Sequence, residues 1–102
     1  MSVRQAYARA LIHGVFMVWP ILSALLALIA GIGAVVGLIE GWGVWRGIYF
    51  GFITALTIGY GDHVPTRAST QVLAVMAGFA GIAMTALLAA VAVHALQASR
   101  RD

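Results

Sequence analysis

Cysteine is absent from the 102 residues, and so is lysine. The first absence excludes a disulfide framework and a thiolate metal site, and it leaves the redox compartment open. The second means that the net charge of +3 comes from six arginines set against three acids. Charge is scarce altogether: 9% of the chain is charged and 63% hydrophobic, with a mean hydropathy of +1.01. A soluble domain this short cannot hide so much apolar surface, so lipid is the expected solvent. The arginines do not cluster with aromatics on a polar face, and no nucleic-acid partner is expected. There is no His-His-acid metal cluster, no nucleophile with a base at useful spacing and no phosphate loop, so no enzymatic activity is expected either.

What the chain does have is two long uncharged runs. The first covers residues 14–39. About 26 residues at about 1.5 Å each exceed the ~30 Å hydrocarbon core, so this reads as a transmembrane helix. It is too long for the apolar region of a signal peptide. Trp19 and Pro20 come early in it and predict a mild bend. Gly31, Gly33 and Gly37 recur on nearby faces, where another helix can approach closely. The second run, 68–98, reads as a second transmembrane helix with Gly78 and Gly81 near its middle. Residues 1–13 carry Arg4 and Arg9 and read as an interfacial segment, with His13 at its junction with the span. Residues 99–102 form a tail with Arg100 and Arg101. Two spans put both termini on one side, and four of the six arginines lie near them. The positive-inside rule then places both termini in the cytoplasm of a multi-pass cell-membrane protein.

Between the runs lies a different kind of sequence. Glu40, the only glutamate, precedes Gly41, Trp42 and Gly43. This reads as the outer turn, with an exposed or surface-paired carboxylate. Residues 44–56 are apolar and aromatic but too short to span, which takes about 20 residues. Non-helical backbone at membrane depth must be enclosed by protein or line water. A short helix that dips in and returns through residues 57–62 meets both limits. Trp42, Trp45, Tyr49 and Phe50 would form an aromatic collar at the outer interface. In the exit loop Pro65 ends regular structure, and Thr66 or Ser69 is the expected cap of the second span. His63 is expected in solvent at the outer mouth, and His94 near the inner end.

The most specific stretch is Thr57-Ile58-Gly59-Tyr60-Gly61-Asp62. Glycine at alternate places lets alternate residues leave the usual φ region, so that carbonyls can face one axis. Set between two apolar runs, this sequence resembles the pore module of tetrameric potassium channels, most closely the prokaryotic two-transmembrane type, over residues 14–98.

The resemblance implies an all-α membrane protein: two transmembrane helices with a re-entrant pore helix and a selectivity-filter loop, assembled as a homotetramer in the lipid bilayer. It implies passive passage of dehydrated potassium, with oxygens of Thr57, Ile58, Gly59 and Tyr60 replacing the ion's water. Gly61 and Asp62 would complete the outer mouth, and the Tyr49 hydroxyl would hold Asp62 from the short helix. Some relatives carry an acid where this chain has Ile53, so bracing must differ here. Gly81, with Gly78 as a rival, would be the hinge of the inner helix. Thr85, Ala89 and Val93 repeat at i, i+4 and i+8 and would line the cavity. Potassium is the permeant ion, and no cofactor is expected. The rival readings are a pore subunit of a potassium uptake transporter and a weakly selective cation channel. A regulatory domain would be separate from this sequence or missing from it.

Overall fold

Ser2 starts the first helix of the computed structural model, which describes residues 2–101. The Ser2 hydroxyl accepts from the Gln5 amide at 3.2 Å, and the Gln5 side-chain oxygen accepts from the Ser2 amide at 3.3 Å. This capping box satisfies two amides that the first turn leaves without partners. Helix α1 then runs over Val3–Glu40 without a break. The interfacial segment expected at 1–13 is therefore the first third of one long helix, and the span does not begin afresh at residue 14. Alanine-rich sequence before His13 and the absence of a proline until Pro20 give the backbone no reason to stop there. Pro20 lies inside α1 and removes one amide from its ladder. Beyond Gly41, which adopts φ +80°, the Trp42 amide donates to the Gly37 carbonyl at 2.9 Å. The helix thus closes with a left-handed cap.

Helix α2 covers Val44–Ala55 and α3 covers Ala68–Arg101. No strand is present among the described residues. α1 buries one stripe, Leu22, Ile29, Ile32, Gly33, Val36 and Gly37, spaced as a single helical face. Around Ile29 it meets Ala55 of α2 and Ala80 and Met84 of α3. Around Val36 it meets Phe50 of α2 and Ala77 of α3.

Both α1 and α3 are long and apolar enough to cross a membrane. The molecule measures 53 Å along its long axis. That exceeds the thickness of a hydrocarbon core, roughly 30 Å. α2 packs between them at one end, and the loop 57–62 leaves from its C-terminus.

The expected aromatic collar is split. Phe50 is buried, with Trp42 packed edge-on against it at 5.3 Å, while Trp45 is exposed. Only Trp45 and Tyr49 present much of their rings outward, because the α1–α2 turn folds Trp42 back over α2.

Candidate functional site: the loop after the short helix

The last turn of α2 holds the start of the loop. Thr57 donates its amide to the Thr54 carbonyl at 3.1 Å, and the amides of Ile58 and Gly59 both reach the Ile53 carbonyl, at 2.9 and 3.3 Å. The orphan carbonyls of a helix C-terminus are thus taken up by the loop itself. Beyond this point φ alternates in sign: it is +61° at Thr57, +56° at Gly59 and +80° at Gly61, and negative between them. Alternation of this kind turns amides to one edge of a strand and carbonyls to the other. Glycine accepts positive φ freely, and a β-branched threonine does not. The two glycines were legible in the sequence; the same backbone form at Thr57 was not. Residues 57–62 are all exposed on the single protomer, and the Thr57 hydroxyl donates to the Leu56 carbonyl at 2.6 Å.

Behind the loop stands an aromatic wall. The His63 ring packs edge-on against Trp42 at 4.9 Å and near Tyr49 at 6.3 Å. Its side chain keeps only 20% of its exposure. The expectation of a solvated His63 is therefore corrected: the α1–α2 turn swings Trp42 over it. The Tyr49 hydroxyl and the Asp62 carboxylate are neighbours. Asp62 Oδ2 stands 3.5 Å from His63 Nδ1.

Glu40 joins the end of α1 to the start of α3. Its carboxylate accepts from the Thr66 amide at 3.0 Å, the Thr66 hydroxyl at 2.8 Å, the Arg67 amide at 3.2 Å and the Thr70 hydroxyl at 2.6 Å. These are charge-assisted bonds at the positive end of a helix. Glu40 ties down the two residues that lead into α3, Thr66 and Arg67, from 26 residues away, because α1 ends where α3 begins. Nor is Glu40 an idle surface acid: Thr70, its partner, is fully buried.

The inner-helix glycines differ. A side chain at Gly81 would strike the Ala55 backbone, its Cβ overlapping the carbonyl oxygen. Gly78 faces open space. Gly81 is thus the point where α3 touches the base of the loop, and close packing accounts for its lack of a side chain. Below the loop a recess of about 370 Å³ is lined by Ala55, Leu56, Thr57, Ile82, Thr85, Ala86 and Ala89. It brings Thr85 and Ala89 together with Thr57. Val93 is not among its lining residues. It lies a further turn down α3, about 6 Å at the helical rise.

Two membrane-crossing helices, a short helix between them and a backbone loop of alternating handedness define a membrane-embedded pore-type fold. Residues 11–98 match a family model described as ion channel, of the two-span potassium-channel type, and the chain belongs to that family. No curated protein sequence and no solved structure matches the chain.

Proposed function

We propose that this ion channel is selective for potassium and conducts it passively, with loop 57–62 as its filter. The observation that carries the reading is the alternating φ at Thr57, Gly59 and Gly61 in a stretch that stands exposed on the single protomer. Carbonyls of Thr57, Ile58, Gly59 and Tyr60, with the Thr57 hydroxyl, would replace the water of a dehydrated ion. One protomer supplies one side of such a cage, so four copies around an axis complete it. Val72, Val75, Phe79 and Ile82 leave apolar faces of α3 exposed, which suits contact with neighbouring copies and lipid. The C-terminal end of α2 directs its dipole toward a cation beneath the loop. Thr85 and Ala89 line the recess there and would form the wall of a wet cavity; Gly81 fixes α3 against the filter's base. The arginine bias puts both termini in the cytoplasm of the cell membrane.

The test is flux from liposomes containing the purified protein, run with potassium and with sodium, beside the mass of the assembly. Potassium-selective flux from a fourfold assembly is expected. Equal passage of sodium would favour a weakly selective cation channel, and flux that requires an energy source would favour a transporter subunit.

A further inference from the structure

Asp62 has two neighbours behind the loop, the Tyr49 hydroxyl and the ring of His63. His63 Nδ1 is buried and makes no hydrogen bond of good geometry, yet Asp62 Oδ2 stands only 3.5 Å from it. A buried nitrogen without a partner is unfavourable, and a carboxylate beside it offsets this when the nitrogen carries a proton. The ring is not free to turn away. Trp42 meets it edge-on at 4.9 Å, Tyr49 flanks it at 6.3 Å, and Phe50 backs Trp42 at 5.3 Å.

We propose that His63 is a positioning residue for the ion pathway: its Nδ1 holds the Asp62 carboxylate behind the loop, and Trp42 and Tyr49 fix the ring that does so. This role presupposes the potassium-filter reading of residues 57–62. The titratable groups facing His63 are Asp62 from its own loop and Tyr49 from α2. The α1–α2 turn contributes only the uncharged Trp42, because Glu40 is engaged by Thr66, Arg67 and Thr70. Nδ1 always donates in the protonated ring but in only one neutral tautomer. Acid on the outer side therefore strengthens the hold on Asp62, and base weakens it.

The test is current decay under sustained voltage in planar bilayers, with the outer solution at about pH 5.5 and about pH 8. Wild type is compared with His63→Asn and His63→Phe, and the potassium-to-sodium permeability ratio is read in the same recordings. Asparagine places a donor near the site of Nδ1 without titrating; phenylalanine keeps the ring and removes the donor. Wild-type current is expected to decay more slowly at the acid pH. His63→Phe is expected to decay about tenfold faster than acid wild type, the loss of one bond to a charged group, and equally at both pH values. His63→Asn is expected to decay slowly at both. Wild-type decay and wild-type pH dependence in His63→Phe would overturn the proposal. Should that variant yield no channels, His63→Asn decides, and a pH dependence like that of wild type would overturn it. A wild-type channel that passes sodium as freely as potassium overturns the filter reading instead, and the permeability ratio shows this before any variant is compared.

Discussion

The two ends of the molecule are packed by different means. At the loop end the helices meet main chain to main chain. A Cβ on Gly33 would overlap the Gly47 carbonyl oxygen, one on Gly47 that of Gly33, and one on Gly37 that of Gly43. Gly51 faces the Ile29 carbonyl and Gly81 that of Ala55 in the same way. At the end that holds the termini the one tight glycine is Gly14, and it faces Val91 Cγ1 at 2.8 Å, the tip of a side chain. Beside it lies an open groove of about 230 Å³ along Met17, Val18, Leu87 and Ala90. Backbone cannot give way without moving a helix, whereas a methyl group can rotate. Rigidity is therefore concentrated under the loop, where the proposed filter would need its carbonyls held.

Substitutions that add a single methyl group test this contrast most strongly. Gly81→Ala should lower stability by about 3 kcal/mol, the upper range for overpacking, and abolish flux, read by thermal unfolding and liposome assay. Gly47→Ala should approach it. Gly14→Ala should change unfolding by less than about 1 kcal/mol, because Val91 can turn aside. Equal losses at Gly14 and Gly47 would erase the difference between the ends. Next in size is the Glu40 junction: Thr70→Val removes a buried hydroxyl and should cost about 1–2 kcal/mol, and Glu40→Gln should shift unfolding in the same direction. Ser2→Ala, at the opposite end, should cost about 1 kcal/mol of local helix stability and leave flux unchanged, measured by hydrogen exchange in the first turn. The smallest effect is a gain. Gly78→Ala meets open space and should stabilise α3 by about 0.5–1 kcal/mol. A loss of flux at unchanged stability would restore Gly78 as a bending point.

The sequence revealed the fold class through length and hydropathy, and the loop through six residues in order. Both signals are local. What it hid depends on distant partners. Glu40 reads as an exposed or surface-paired acid, and which partners it takes emerges only when Thr66 and Thr70 are brought against it from the next span. His63 follows the loop and reads as solvated until the α1–α2 turn lays Trp42 across it. The glycines that set helix spacing were legible in part: Gly33 and Gly37 do meet the backbone of α2, whereas Gly31, on a nearby face, meets nothing, and the partner glycines Gly47 and Gly51 carry no pattern of their own. α3 is apolar nearly all round, so no stripe marks which residues face protein and which face lipid. Spacing alone therefore did not show that Thr85 and Ala89 reach the recess while Val93, a turn further down, does not.

Thr57 has one more consequence. Its φ is +61°, and it stands exposed on its own protomer. A β-branched residue disfavours that backbone well by about 1–3 kcal/mol. A solitary chain has every incentive to let this segment relax. Whatever meets its open edge, an ion or an adjoining copy, must compensate for that tension, so folding of the segment is expected to finish only when something arrives to occupy it. Chains trapped alone in detergent should then show fast amide exchange at residues 57–61 and slow exchange one turn earlier.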